Sequence, residues 1–301
     1  MKILYCDNVI DPKIVDEDYQ DEEQTAKEVG FETYLLSFEK LMEGNAKSAI
    51  RFIPTQTKKE LAFYRGWMMK PKMYALLYNE LLEKNIMLIN TPTEYEHCHY
   101  LPNSYYKIES ITPFSKWIKL DKAVDFDEIY ELLNDFGENQ IILKDYVKSE
   151  KYYWKEACFI TNPKDKDSVK KIVEKFVELR GNQLNEGLVL RKFEQLEFLT
   201  KHSKSSLPLT KELRLFFFHQ SLVAYFNYWD EVEYGKIDIE LDKFLQVAKT
   251  IESNFFTMDI AQKTDGEWII IELGDGQVSG LPDNADKNSF YNNLKKLTLQ
   301  R

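Results

Sequence analysis

Two apolar runs near the C-terminus, FFTMDIA and EWIIIEL, are separated only by QKTDG. Asp265-Gly266 is a strong signal for a two-residue hairpin turn, so this part of the chain must pair antiparallel. If those two residues form the loop, Thr264 pairs with Glu267. Counting outward then pairs Asp259 with Glu272. Directly opposed like charges destabilise a ladder, so something should offset them. A divalent cation is the obvious candidate, because Mg²⁺ takes one or two carboxylates plus substrate phosphates. Strict alternation puts Ile269, Ile271 and Leu273 on one face and Trp268, Ile270 and Glu272 on the other. Two readings are open here: a metal-holding pair, or solvated carboxylates with the register off by one. LGDGQVSG follows, with small residues that allow close backbone approach. Asp275 and Gln277 are further candidate ligands there, and an ordinary glycine-rich turn is the alternative.

The rest of the chain alternates strand and helix signals. MKILYC, FETYLLSFEKL, AIRFIP and IMLIN read as strand-like, and YALLYNELLEK as helical. These make a small α/β lobe over residues 1–95. A proline-punctuated stretch, TPTEYEHCHYLPNSYYKIESITP, begins the middle part. After it, DFDEIYELLNDFG and DSVKKIVEKFVELRG read as helices with glycine stops. QIILKDYVKS, ACFI and GLVLRKF read as strands. ELRLFFF and LVAYFNYW form a strand pair joined by HQS, IELDKFLQVAKTIES a helix, and DKNSFYNNLKKLTLQ a terminal helix. The expected class is α+β, mixed α/β, with antiparallel sheets after the first lobe. Boundaries fall at 1–95, 96–198 and 199–301.

Forty Lys and Arg against fifty Asp and Glu give a net charge of -10. That disfavours nucleic acid as a general partner, since a phosphate backbone needs a basic surface. No apolar run approaches the roughly 20 residues of a membrane helix. The N-terminus turns acidic before a signal-peptide core can form. Three scattered cysteines (Cys6, Cys98, Cys158) indicate neither a disulfide framework nor a zinc site. The reducing cytoplasm is the expected location.

Against this acidic background three strands carry cations among apolar neighbours. In ILKDYVKS, Lys144, Tyr146 and Lys148 fall on one face by period two. In GLVLRKF, Arg191 shares a face with Val189 and Phe193. In ELRLFFF, Glu212, Arg214 and Phe216 lie opposite Leu213, Leu215 and Phe217. A lysine within an apolar strand is costly unless it meets an anion. Singly, each is more often an edge-strand charge or a structural ion pair; three together point to a phosphate-binding groove. Neither GxxxxGK[ST] nor GxGxxG occurs, which excludes the P-loop and Rossmann routes.

The order of these pieces resembles the ATP-grasp superfamily, in particular a small bacterial and phage branch marked by two arginines and one lysine. The resemblance covers roughly the last two thirds of the chain. It implies a nucleotide held between two α+β lobes, behind a small N-terminal α/β pre-domain. Lys144 matches the strand lysine that contacts phosphates and the adenine edge, with Lys148 as a second phosphate contact. Arg191, Lys192 and Phe193 match the hinge, and Glu212 and Arg214 the strand after it. Asp259 and Glu272 match the late Mg²⁺-holding carboxylates. The usual Glu-x-Asn metal pair is not met, because Gly274 stands two residues after Glu272; Asp275 and Gln277 are the candidate substitutes. The glycine-rich flap is replaced by SEKYYWKEA. The resemblance implies ATP- and Mg²⁺-dependent carboxylate–amine ligation, or carboxylate–thiol ligation, through an acylphosphate. Arg214 would stabilise the transferring phosphoryl group, and Arg191 would do likewise or hold the acceptor carboxylate. Small-molecule or peptide carboxylates and amines are the implied partners.

Two other readings compete. A nucleotide-binding regulatory or immunity module would keep the fold without ligation, which the altered metal pair motivates. A nucleic-acid ligase would need a KxDG-like motif, and KDYVKS lacks the glycine. YRGWMMKPKMY, with Arg65, Trp67 and Tyr74, is read as core more than acceptor site. His97-x-His99, without a third ligand, is read as a loop. Cys158 is read as inert.

Overall fold

The computed structural model describes residues 1–121, 123–202, 208–235 and 237–300. Its N-terminal part runs β1 (Lys2–Cys6), α1 (Gln20–Val29), β2 (Glu32–Leu36), α2 (Phe38–Met42), α3 (Ala46–Ala49), β3 (Glu60–Arg65), α4 (Pro71–Leu82) and β4 (Ile86–Leu88). The four strands form a parallel sheet ordered β2-β1-β3-β4. β1 is buried at all five positions, as parallel strands covered on both faces are. Its one charge, Lys2, is neutralised by Glu32 and Glu60 from its two neighbours.

AIRFIP, expected as a strand, is instead the end of α3 and the turn after it. The strand next to β1 is ELAFYR. Ala49, Ile50 and Ile53 are the buried positions of the misread run, a helix-like spacing that a short apolar segment cannot distinguish from a strand.

The proline-punctuated stretch, expected to hold His97-x-His99 in a loop, is helical. It forms α5 (Pro92–His99) and α6 (Leu101–Ile108). Proline is tolerated in the first turn of a helix, where amides lack partners anyway. Thr91 and Glu94 complete a capping box at the start of α5, a pattern visible in TPTE. His97 and His99 therefore lie on a helix and are buried.

The central sheet follows: β5 (Ser115–Lys119), α7 (Phe126–Asn134), β6 (Ile141–Asp145), β7 (Phe159–Ile160), α8 (Lys166–Arg180) and β8 (Gly187–Lys192). Its order is β5-β8-β6-β7, all antiparallel. Ile118, Ile141, Leu143, Leu188 and Leu190 pack one face against α7 and α8. The opposite face carries Trp117, Lys144, Val189 and Arg191.

A short hairpin of β9 (Phe198–Lys201) and β10 (Pro208–Thr210) leads into β11 (Glu212–Phe218), β12 (Ser221–Asn227), α9 (Asp242–Ala248), β13 (Phe255–Gln262), β14 (Trp268–Asp275) and α10 (Lys287–Leu299). This sheet is ordered β12-β11-β13-β14 and is antiparallel. Leu213, Leu215 and Phe217 face α6 and α9, while Phe216 and Phe218 face the N-terminal sheet and α10. The expected alternation of β11 is what the structure has.

Candidate active site

Asp259 and Glu272 are cross-strand partners, but they reach that register by a route the sequence count did not contain. The turn is a three-residue loop. Lys263 N donates to Glu267 O at 2.7 Å and Gly266 N to Lys263 O at 2.9 Å. Gly266 takes φ +92°, the left-handed residue such a loop requires. The ladder therefore starts one residue out of the expected register, with Gln262 opposite Trp268 and Ile260 opposite Ile270. Ile271 is then extra, a β-bulge, and restores Asp259 to Glu272. Past the bulge the expected alternation fails: Leu273 joins the core of Trp268 and Ile270, and Glu272 turns to the other face.

On that face a row of charges crosses three strands. Arg214 on β11 is the ladder partner of Asp259 on β13, which is the partner of Glu272 on β14. Arg214 Nε donates to Asp259 Oδ1 at 2.8 Å and Nη2 to Oδ2 at 2.7 Å. Its Nη1 donates to the Gly280 carbonyl at 3.0 Å, and its guanidinium lies 4.6 Å from the centre of the Tyr228 ring. From the central sheet, Lys144 Nζ approaches Glu272 Oε1 at 3.4 Å. The two carboxylates are thus bracketed by two cations of the protein itself. Burial pushes the Asp259 pKa up, and Arg214 works against that push. Burial would also raise Glu272, but Lys144, Lys148 and Arg214 together bring it below the usual range.

The donor set fits one divalent cation of the Mg²⁺ kind. Among the described residues no group of three or more His, Cys, Asp and Glu forms a metal site. The Glu272 side chain, however, is 44% exposed and meets a cation only at 3.4 Å. It is open to a metal in a way that Asp259, with both oxygens on Arg214, is not. One strongly available carboxylate and one shared one suit an ion that takes its remaining oxygens from substrate and water.

A family model described as ATP-grasp domain, R2K clade family 3, matches residues 134–294. The chain belongs to this ATP-grasp family. A search of curated protein sequences finds no match. Among solved structures, the ATP-grasp ligase PsnB, in complex with a minimal precursor, Mg and ADP, is 12% identical with a TM-score of 0.59. The match covers 99% of this chain and 97% of that one. A RimK domain ATP-grasp protein from Sphaerobacter thermophilus DSM 20745 is 12% identical, with a TM-score of 0.60 and 98% of each chain covered. D-alanine–D-alanine ligase from Bacillus anthracis, in complex with ATP, is 16% identical with a TM-score of 0.56, covering 100% of this chain and 98% of that one. At these identities the likeness is one of fold.

Within this ATP-grasp chain the remaining sequence-derived residues are placed as follows. Asp275 does not join Asp259 and Glu272. Three residues after Glu272, it points to the opposite face of the sheet. Asn90 Nδ2 and Gln277 N donate to it. It is fully buried, with its pKa raised to about 7 by that burial. Gln277, also fully buried, donates to the Tyr74 hydroxyl at 2.7 Å and accepts from Tyr64 N at 3.1 Å. Both residues tie the C-terminal sheet to the N-terminal one. Gly274 does lie on the Glu272 face, but a Cβ there would meet Thr257 Oγ1 at 2.7 Å and Ser279 Oγ at 2.9 Å. The Thr257–Ser279 hydroxyl pair fills the space an asparagine would need.

Arg191 is buried. Its Nη2 donates to Thr112 Oγ1 at 2.8 Å and lies 3.4 Å from the Ile270 carbonyl beside the bulge. Burial lowers its pKa to about 10, leaving it charged at neutral pH. Lys192 pairs with Glu194 at 2.9 Å. Phe193 packs edge-on against Trp154 and Phe159. Glu212 is buried, accepts from Thr210 and has its pKa raised by burial to about 7.

Lys148 is not on a strand face with Lys144, because β6 ends at Asp145. The Asp145 carboxylate accepts from the amides of Val147 and Lys148 and turns the chain there. Lys148 is exposed as a residue, yet protein crowding around its ammonium lowers its pKa, aided by Lys144 and opposed by Glu272. SEKYYWKEA forms a 3₁₀ turn and a short π-helix over Trp154–Cys158. Lys151 Nζ reaches to 5.6 Å from the Trp229 ring of the C-terminal part. Cys158 accepts from Glu150 N, and burial pushes its thiol to about 12, consistent with an inert cysteine.

Two residues hold the site in place: Asp145, which sequence reasoning missed, and Arg65, which it read as core without a partner. Asp145 also binds Arg180 and Asn185. Its signal was the Asx-turn pattern in KDYVK. Arg65 is fully buried, pairs with Glu22, and donates to the carbonyls of Gly276 and Ser279. No sequence pattern links it to that loop.

Proposed function

We propose that this protein is an ATP-dependent ligase that joins a carboxylate to an amine, with ATP and Mg²⁺ bound between the central and C-terminal sheets. The observation that carries the reading is the row Arg214–Asp259–Glu272–Lys144, which brings cations and carboxylates from two sheets to one place. Lys144 and Lys148 hold the phosphates as point charges. Glu272, with Asp259 behind it, holds Mg²⁺, which neutralises phosphate charge when bound. Arg214, fixed by Asp259 and stacked on Tyr228, is set to meet charge on the transferring phosphoryl group.

In the proposed reaction a substrate carboxylate oxygen attacks the γ-phosphorus, forming an acylphosphate and releasing ADP. An amine then attacks the acyl carbon, the C–O bond to phosphate breaks, and phosphate leaves as the amide forms and the amine loses a proton. The protein contributes positioning and charge neutralisation. Arg191, held by Thr112 and the Ile270 carbonyl, couples the hinge strand to β14 and supports Glu272 from behind. The PsnB and D-alanine–D-alanine ligase structures were solved with nucleotide, which supports the same use of the cleft here.

The test is Mg-ATP binding by thermal shift for wild type, Lys144→Ala and Glu272→Gln, followed by ADP release across a panel of amino acids and peptides. The absence of a Mg²⁺-dependent shift in wild type would sink the proposal. A shift without ADP release from any acceptor would favour a nucleotide-binding module, the reading that Gly274 in place of the second metal ligand supports.

A further inference from the structure

One imidazole stands beside the charge row without a hydrogen bond. His99 ends α5, and that helix packs against β14. Two residues on, Leu101 N donates to the Tyr146 carbonyl at 3.1 Å, which holds this end of the helix against the Asp145–Lys148 turn. The His99 ring is stacked on Tyr95, with ring centres 5.0 Å apart and an angle of 27° between the planes. Tyr95 is itself stacked on Tyr74 at 4.0 Å. His99 is therefore held between the end of β6 and the strand that carries Glu272. The charged groups that act on it are Lys148, Glu272, Asp145 and Lys144. Three of these four are the groups proposed to hold phosphates and Mg²⁺, and Lys144 and Glu272 meet across the two sheets at 3.4 Å.

The ring nitrogens supply a second observation. His99 is only 5% exposed, and neither ring nitrogen has a hydrogen-bond partner among the described residues. Neither is sealed in protein, however, as His97 Nε2 is. The little surface that His99 exposes therefore includes its nitrogens. Polar atoms so nearly buried are normally hydrogen-bonded, and this narrow opening leaves room for a partner from outside the chain. Burial lowers the His99 pKa to about 4; Lys148 and Lys144 add to that, and Glu272 and Asp145 oppose it. The ring is thus neutral at pH 7, with one N–H donor and one acceptor nitrogen. It adds no third cation beside the two lysines, but it can donate to an oxygen that they attract.

We propose that His99 is a further phosphate-contacting residue of the nucleotide cleft: its single N–H donates to a phosphate oxygen of the bound nucleotide, next to Lys148. The role rests on nucleotide binding between the two sheets. It adds a directional contact where the lysines act as point charges.

The test uses the full chain and Mg-ADP. His99→Phe keeps an aromatic ring on Tyr95 and removes the N–H. His99→Gln and His99→Asn place an amide N–H near the positions of Nε2 and Nδ1. Calorimetric titration should show Mg-ADP bound about tenfold more weakly by His99→Phe, the effect of losing one charge-assisted contact. One of the two amide variants should recover most of that affinity. Adenosine, which has no phosphate, should bind His99→Phe as it binds wild type. A second measurement does not depend on the folding of His99→Phe. In wild type labelled with ¹⁵N-histidine, the protonated ring nitrogen of His99 is assigned by its loss in His99→Gln, among four histidines in all. It should move saturably with Mg-ADP and stay in place with adenosine. An unmoved resonance, equal Mg-ADP affinity in His99→Phe, an equal loss for adenosine, or no recovery in either amide variant overturns the role of His99. Wild type that binds no Mg-ADP overturns nucleotide binding between the sheets, and this contact with it.

Discussion

Lys144 Nζ stands 3.4 Å from Glu272 Oε1 and joins the central sheet to the C-terminal one. The distance is long for an ion pair, and Glu272 is partly open to solvent. Such a contact contributes little to stability, which frees both groups for other partners. We expect Lys144→Ala to leave the melting temperature of the free protein nearly unchanged while weakening Mg-ADP binding by roughly ten- to a hundredfold. Calorimetric titration checks this, and equal affinity in the variant contradicts the role.

Arg214 and Asp259 behave differently, because both are mostly buried. Arg214→Met leaves an uncompensated buried carboxylate and should cost about 3–5 kcal/mol. Pairing it with Asp259→Leu should recover most of that loss. Chemical denaturation of both variants measures the difference. A single variant as stable as wild type would mean that Asp259 is relieved by some other group.

The Ile271 bulge suggests a deletion. Without Ile271 the ladder runs regularly from Trp268, and Glu272 still falls opposite Asp259 on the same face. We expect the deletion variant to fold. The Ile270 carbonyl would be drawn back into the ladder, away from Thr112 and Arg191, with a loss of about 1–3 kcal/mol. A variant that does not fold at all would show that the bulge sets more than this local contact.

Gly274 tests why an asparagine is absent from the metal pair. Gly274→Ala should destabilise by about 1–3 kcal/mol, because its Cβ meets two hydroxyl oxygens. Thr257→Ala in the same chain should relieve most of that strain, read as recovered denaturation midpoint.

Glu212 makes stability depend on pH. Burial raises its pKa from 4.5 to about 7 in the folded state. The folded chain then keeps a proton that the unfolded chain releases. This contribution is fully present below the unfolded value and is lost as pH rises through about 7, by up to about 3 kcal/mol. Glu212→Gln should therefore flatten stability between pH 5 and pH 8 by roughly that amount. An unchanged pH profile would mean that Glu212 is ionised in the fold.

Much of this was legible in the chain. Period-two alternation in ELRLFFF determined which face Arg214 takes, because side-chain direction in a strand is local. Helical spacing and caps determined α4, α7, α8 and α10. The strand–helix order and the residues around Lys144, Arg191, Arg214, Asp259 and Glu272 were enough to suggest the family. Local signals also misled where two structures share them: AIRFIP is short enough to read either way, and prolines that look like loop punctuation open α5 and α6.

By itself, then, the sequence determined most of the elements and their faces, and it named Asp259 and Glu272 as opposed carboxylates only by a count whose loop was one residue too short. Only the tertiary structure decided what each charge meets. Ile271 bulges because the three-residue turn and the core contacts of Leu273 must both be satisfied, and no count along one strand contains that compromise. Asp275 is claimed by Asn90, 185 residues away, and Gly274 is kept bare by Thr257 and Ser279. Such partners are set by packing between sheets, where distance along the chain carries no information.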